Sequence, residues 1–203
     1  ESLNQLKDAN AKERADLTKR QKKLEKSEAI AQHQLEELAL RCYSKYEIFK
    51  MQHQNDSALY YLELRASLDT TNVEWMMEVG EFASECIGNN RFAIGYFESA
   101  IYYATLNDNY NQLLECYNSI GSSYLDIAEY DSTLIYVSKA MELCNSLRNQ
   151  KLNVGNISDT YLLEGSLNYK KSQFEEALIN IQKSLDFVLE TNDYKRIIGC
   201  YNN

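Results

Sequence analysis

The stretch YNSIGSSYLDIAEYDSTLIYVSKAMEL, from Tyr117 to Leu143, contains two short amphipathic segments joined by the turn AEYD at 128–131. The first segment has tyrosines at 117 and 124 and a glycine at 121, and small residues recur in the second at Thr133 and Ala140. Small residues let paired helices approach closely, while large residues between them wedge against neighbouring units. The stretch therefore predicts a helical hairpin.

The same arrangement occurs on both sides of this stretch. A downstream copy begins at Tyr161, an upstream copy surrounds Gly80 with one extra residue in its turn, and a fainter copy starts near Tyr46. Gly80, Gly121 and Gly165 are 41 and 44 residues apart. A recurring period of about 40 residues is typical of stacked helical repeats, in which each unit packs on its neighbours.

This pattern resembles the tetratricopeptide repeat family. The positions that match its signature of aromatic residues, Leu-Gly, turn tyrosine and alanines are Tyr117, Ile120, Gly121, Tyr124, Tyr130, Thr133, Val137 and Ala140. The long period is similar to that of kinesin light chains and bacterial peptide-sensing regulators. The resemblance implies an all-α solenoid with repeats at 39–72, 73–109, 110–153 and 154–192 and a partial repeat at 193–203.

The composition also favours helices joined by tight turns. The 203 residues include no proline and only seven glycines, which are the residues that punctuate strand-rich and loop-rich folds. At several breaks an Asn or Asp precedes the next helical segment, as an N-cap residue would. The predicted caps are Asp56, Asn72, Asn109, Asp131 and Asp193.

Residues 1–38 form a separate region, predicted to be a long charged helix. Leucine or alanine recurs in one seven-residue register at Leu3, Leu17, Leu24, Ala31 and Leu38. This spacing keeps one helix face toward a partner helix, but the second core position of the heptads is mostly polar. The region is therefore predicted to be a weak coiled coil, and a weak homodimer through residues 1–38 is one expected partner contact.

The charge distribution bears on the class of partner. Residues 1–50 carry eleven Lys/Arg and nine Asp/Glu, whereas residues 51–203 carry ten and twenty-one, within a total of −9. Such an acidic main body would repel a phosphate backbone, so it is predicted to bind no nucleic acid. No apolar run is long enough to span a membrane.

The residues that carry chemistry are sparse. His33 and His53 have no metal ligand at a suitable spacing, and the sequence has no glycine-rich phosphate loop. The five cysteines form no CxxC pair and are predicted to be small buried residues in a reducing, cytoplasmic compartment. We therefore expect no enzyme activity, no catalytic residue, no metal site and no cofactor.

The resemblance implies a concave groove lined by the first helix of each repeat. The groove residues carried over in this way are Glu74, Met77, Glu78, Glu81, Glu115, Asn118, Ser122, Asp126, Tyr169, Lys170 and Asn202, with Glu85, Ser119, Asp159, Leu162 and Ser166 beside them. One end is acidic, which favours a basic or amine-bearing peptide. Asn118 is predicted to hydrogen-bond the backbone of an extended peptide.

These observations predict a non-catalytic scaffold that binds a protein or peptide in an acidic groove. CYNN at 200–203 repeats the start of CYNSIG at 116–121 and ends before its glycine, which indicates a piece of a longer solenoid. One alternative is a regulatory module of a signalling or transcription regulator whose output domain lies outside this segment. A second alternative is structural assembly through the N-terminal coiled coil.

Overall fold

The computed structural model describes residues 2–146, 152–189 and 193–202, and the regular elements in these ranges are all helical. The all-α prediction is therefore confirmed. The α-helices are α1 (Ser2–Met51), α2 (Asn55–Leu68), α3 (Val73–Phe82), α4 (Asn90–Leu106), α5 (Tyr110–Asp126), α6 (Tyr130–Ser146), α7 (Val154–Lys170), α8 (Phe174–Leu189) and α9 (Tyr194–Asn202).

Neighbouring helices pack in pairs, and the pairs stack. α1 packs on α2, α3 on α4, α5 on α6 and α7 on α8, while α5 also lies against α3 and α7. Short connections hold each pair together, since only three residues separate α5 from α6 and α7 from α8. Stacked helix pairs of this kind form an α-solenoid.

Four of the connections use the same turn although none of them contains glycine. His53, Asp108, Ala128 and Ser172 have φ values of 56°, 51°, 60° and 61°, in the left-handed region that L-residues rarely adopt. In each turn the amide of the next residue donates to the carbonyl five positions earlier, at 2.9 Å. This hydrogen bond is typical of a Schellman motif, which ends one helix and reverses the chain.

The extra residue of the Gly80 copy is accommodated by a change of helix type. α3 ends at Phe82 and continues as a π-helical turn, Ala83–Ile87. A π-helical turn closes its hydrogen bonds over five residues rather than four, so it absorbs one inserted residue. The second helix of this repeat therefore keeps its packing, with Ala93 and Ala100 fully buried.

The signature glycines lie where helices approach most closely. A Cβ on Gly80 would lie 2.4 Å from Cε1 of Phe97, and a Cβ on Gly121 would lie 2.6 Å from Cδ2 of Leu163. Real side chains do not approach this closely, so the absence of a side chain is what lets each pair of helices meet. The small residues of the second helices Thr133, Ala140 and Ser184 are also fully buried.

α1 runs through residue 38 without a break and supplies the first helix of the first repeat. Residues 12–38 are exposed apart from half-buried Leu35. From there onward Ala39, Cys42 and Tyr46 are buried against the rest of the first repeat. One helix therefore has a packed C-terminal part and a long part with no neighbour among the described residues.

Three of the five predicted helix caps are confirmed. Asn72, Asn109 and Asp193 each accept a hydrogen bond from the backbone amide three residues further on. The prediction was wrong for Asp56 and Asp131, which lie inside the first turns of α2 and α6 because each helix begins one residue earlier. There the carboxylates still face the positive end of the helix dipole.

Candidate functional site

A groove of about 630 Å³ opens between α5 and α7. Most of its wall consists of residues that the sequence predicts to face a ligand. Its lining residues are Glu85, Asn118, Ser119, Ser122, Leu125, Asp126, Asp159, Leu162, Leu163, Ser166 and Lys170. The structure thus brings together four of the main predicted residues, Asn118, Ser122, Asp126 and Lys170, on two neighbouring first helices.

The wall combines apolar, neutral polar and acidic side chains. Three leucines supply apolar surface, three serines supply hydroxyl groups, and the carboxylates of Glu85, Asp126 and Asp159 outnumber the single ammonium of Lys170. Burial raises the pKa of Asp126, and the nearby Lys170 opposes that rise. Such a surface suits a ligand with both apolar and cationic groups.

Asn118 lies at the floor of the groove and is 8% exposed. Its Nδ2 donates to the backbone oxygen of Asn156 at 2.8 Å, and its Oδ1 accepts from Oγ1 of Thr160 at 2.9 Å. Both groups of the amide are therefore engaged with α7. Asn118 joins two repeats, a role that its sequence position does not reveal.

Four other predicted residues lie on α3, away from the wall of this groove. Glu74 and Glu81 are exposed, whereas Met77 is 5% exposed and its Sδ lies 3.4 Å from Sγ of Cys116. Glu78 forms an ion pair with Arg65. Met77 and Glu78 thus make contacts within the chain.

Arg65 connects the first repeat to the second. Its guanidinium carbon lies 4.5 Å from the ring centroid of Tyr43 and 4.7 Å from that of Trp75, within cation–π distance of both. Burial raises the pKa of Glu78, its ion-pair partner, and Arg65 opposes that rise. These contacts stabilise the packing of α1, α2 and α3.

The remaining predicted groove residues, Glu115, Tyr169 and Asn202, also lie outside the lining of this groove. Glu115 on α5 is half-buried, and burial raises its pKa. Tyr169 is exposed and its ring contacts that of Phe174 edge-on at 5.7 Å. Asn202 is exposed near the end of α9.

An arginine that the sequence analysis missed lies beside the groove. Arg196 on α9 donates from Nε to both carboxylate oxygens of Asp159, at 3.0 and 3.1 Å, and from Nη2 to Oδ2 at 3.0 Å. Its Nη1 donates to Oδ2 of Asp193 at 2.6 Å. Arg196 and Asp159 are 37 positions apart, so the sequence gives no local signal for this pair.

Among the described residues, the cysteines and the other potential metal ligands form neither an activated thiol nor a metal site. Cys42, Cys116 and Cys200 are buried as predicted, whereas the prediction was wrong for Cys86, which is exposed. Burial, with Glu115 adding to it, raises the pKa of Cys116 to about 12, so its thiol stays protonated. Over those same residues, no three His, Cys, Asp or Glu side chains are placed to hold a metal ion.

The described helices fall short of what a bilayer requires. None of them combines the length and the apolar character that a membrane span needs.

Three solved structures share this fold. A Rap protein in complex with Competence and Sporulation Factor is similar with a TM-score of 0.65 and 17% identity, over 80% of this chain and 46% of that one. BtubC (BKLC) from P. vanneervenii is similar with a TM-score of 0.61 and 14% identity, over 77% of this chain and 65% of that one. MamA is similar with a TM-score of 0.56 and 17% identity, over 82% of both chains. This chain therefore covers less than two thirds of the first two proteins.

No protein-family model and no curated protein matches the sequence. At identities of 14–17% the structural likeness establishes the fold alone. The neighbours are α-solenoids of the tetratricopeptide type. The chain accordingly has a tetratricopeptide-like helical-repeat fold.

Proposed function

We propose that this chain is a non-catalytic scaffold that binds an extended peptide or protein segment in the groove between α5 and α7. The observation that carries this proposal is the groove itself, about 630 Å³ in volume and lined by side chains of α5 and α7, with Glu85 from the turn after α3. An extended segment suits a long, open surface of this kind better than a compact metabolite does.

The lining indicates the chemistry of the ligand. Three carboxylates and one lysine give the groove an acidic surface, and Leu125, Leu162 and Leu163 add apolar contact area. The main body outside the first 50 residues is also acidic, with ten Lys/Arg against twenty-one Asp/Glu. A basic segment with interspersed apolar residues is therefore the preferred ligand, since opposite charges speed association and favour the correct partner.

The solved structures lend support at the level of fold. One helical-repeat neighbour, the Rap protein, was crystallised with Competence and Sporulation Factor bound. A fold of this type therefore serves as a binding scaffold in at least that case. Because fold does not determine function, the proposal depends on the groove of this chain.

The test uses a fluorescein-labelled hexapeptide of alternating leucine and arginine, with a leucine–glutamate hexapeptide as the charge control. We expect the arginine peptide to bind and the glutamate peptide not to bind, as measured by fluorescence anisotropy. Ser122→Trp fills the groove and should weaken binding about tenfold or more. Ser138→Trp, on the exposed face of α6, is the matched control.

Equal affinity for the two peptides would contradict the charge argument. Unchanged affinity in Ser122→Trp would exclude the groove as the binding site. Asn118→Ala, the test that the sequence suggests first, is less informative because Asn118 also holds α5 to α7.

A second candidate function is assembly through the free part of α1. Leu17 and Leu24 are each 59% exposed and Leu38 is 47% exposed, although they share one heptad register. In a parallel, in-register pair, Lys23 would face Glu28 of the partner subunit, and Ile30 would face Leu35 of the partner subunit. A second copy of this chain is thus the partner that fits the exposed row of Leu17, Leu24 and Leu38.

Sedimentation equilibrium tests this assembly. Wild type should show a weak monomer–dimer equilibrium, and Leu24→Glu should be monomeric because it buries a charge in the seam. Leu134→Glu, an exposed leucine on α6, is the matched control and should behave as wild type. A wild-type chain that stays monomeric at all concentrations would exclude the dimer.

A further inference from the structure

We propose that Arg196 of α9 competes with the cationic group of a ligand for the carboxylate of Asp159, so that α9 regulates the groove. This inference rests on the proposed peptide-binding function. It concerns the regulation of the same site and the chemistry of the ligand group that enters it, namely a guanidinium or an ammonium.

The first observation is that Asp159 belongs to two sites at once. It lines the groove between α5 and α7. It also accepts three contacts from Arg196, at 3.0, 3.1 and 3.0 Å. A ligand cation that reaches Asp159 therefore meets an oxygen pair that already binds a guanidinium.

The second observation is that the chain makes room for this arginine. Gly155 lies beneath the guanidinium, and a Cβ at that position would lie 2.7 Å from Cζ of Arg196. On its other side, Asp193 accepts from Nη1 at 2.6 Å and also caps the helix that carries Arg196. Bidentate contact, an open space and a second carboxylate together define a specific position for the guanidinium.

The third observation concerns the charge around Arg196. Burial raises the pKa of Glu115, and the nearby Arg196 guanidinium opposes that rise, whereas Asp159 and Glu74 add to it. Arg196 thus binds Asp159 and Asp193 and lies near Glu115, so it compensates three acidic groups beside the groove. A ligand cation can replace it without a change in local charge, whereas a neutral or acidic ligand cannot.

The fourth observation is that α9 is packed on one side only. Its outer face exposes Tyr194, Ile198 and Tyr201 at 71%, 58% and 72%. Its inner face contributes Cys200, whose Sγ lies 3.2 Å from Oγ of Ser184. α9 also packs on α8 and α7, but Arg196 makes the ion pairs that join it to Asp159, so α9 should loosen when Arg196 leaves Asp159.

The test measures the affinity for the leucine–arginine hexapeptide in wild type and in Arg196→Gln. Removal of the competing guanidinium should raise the affinity about fivefold or more, because a larger fraction of the protein is competent to bind. Arg196→Lys, which keeps the charge but loses the bidentate contact, should lie between the two. Arg91→Gln, which removes the exposed ion pair with Glu129, is the matched control and should bind as wild type.

Hydrogen exchange supplies a second measurement that needs no variant. Addition of the hexapeptide to wild type should speed amide exchange in residues 194–202, and exchange in α4 should not change. If the hexapeptide binds wild type and Arg196→Gln equally, and α9 exchange stays constant, the competition is excluded while the groove function stands. If neither protein binds the hexapeptide, the proposed function and this inference both fail.

Discussion

The seam between α3 and α5 and the seam between α5 and α7 share a helix but differ in chemistry. At the first seam, Met77 and Cys116 meet within an apolar cluster. At the second, Asn118, Asn156 and Thr160 form a buried hydrogen-bonded network. The same repeat geometry therefore accommodates both an apolar and a polar interface.

The difference has a physical consequence for each seam. Apolar contacts contribute stability in proportion to the area that they bury and tolerate small shifts. Buried polar groups contribute little net energy, but each group must keep its partner, so they define one relative position of the two helices. The groove opens beside the polar seam, where α5 and α7 are held in a defined register.

The largest expected effect tests the apolar side of the comparison. Phe97 is 1% exposed and packs against Gly80 in the apolar cluster. Phe97→Ala should lower the free energy of unfolding by about 3–5 kcal/mol, because it removes buried surface and leaves a cavity. Urea unfolding measures the change, and the comparison fails if Thr160→Ala at the polar seam has an equal effect.

The next effect tests whether Gly80 is needed because α3 and α4 approach each other closely at that position. Gly80→Ala should destabilise the chain by about 1–3 kcal/mol, since the new Cβ would overlap the Phe97 ring. Gly95→Ala, an exposed helical position with nothing within 4 Å, should instead stabilise it by up to about 1 kcal/mol. Thermal unfolding measures both variants, and a change in stability of the same sign in the two would contradict this account.

A third effect compares near-isosteric substitutions in the two seams. Asn118→Leu removes the side-chain amide that donates to the Asn156 carbonyl and one of the two acceptors of the Thr160 hydroxyl, so we expect a loss of about 1–3 kcal/mol. Met77→Leu in the apolar seam should change stability by less than about 1.5 kcal/mol. Equal urea midpoints for the two variants would show that the polar network contributes no more than packing does.

The smallest effect is a dependence on pH at Glu115. Burial raises its pKa in the folded state, with Asp159 and Glu74 adding to the rise and Arg196 opposing it. The stability that this group contributes is therefore full below its unfolded pKa of about 4.3 and is lost as the pH rises through the folded pKa.

Glu115→Gln removes this titration. Relative to wild type, the variant should gain stability between about pH 4 and pH 7, with the difference near zero at the acidic end. Urea unfolding at the two pH values measures it. If the variant instead becomes less stable than wild type as the pH rises, the carboxylate is stabilised in the folded state rather than destabilised.

Much of the architecture follows from local sequence. The all-helical fold and the extra residue of the Gly80 copy depend on periodicity and on small residues at fixed spacing, and the structure agrees with both predictions over the residues that it describes. The groove wall was expected from the resemblance to the tetratricopeptide repeat, which implies that residues flanking the repeated signature on each first helix face a groove. Ser122, Asp126 and Lys170 meet there for that reason.

What a residue contacts across the stack required the tertiary structure. Asn118 is a groove residue by position, yet its amide is engaged by Asn156 and Thr160, about 40 positions away. Arg196 reaches Asp159 only because α9 stacks on α7. The left-handed turns at His53, Asp108, Ala128 and Ser172 likewise carry no glycine signal, since the surrounding helices impose that conformation.

The sequence by itself thus determined the helical-repeat fold, because that fold depends on the spacing of residues within one helix pair, and the resemblance added which residues of α5 and α7 to expect along a groove. Only the tertiary structure decided which side chains along that groove are engaged within the chain, because those contacts join residues from different repeats. Asp159 shows the division most clearly. Its place on the groove wall follows from its position in α7, and its contact with Arg196 follows from the stacking of the next repeat.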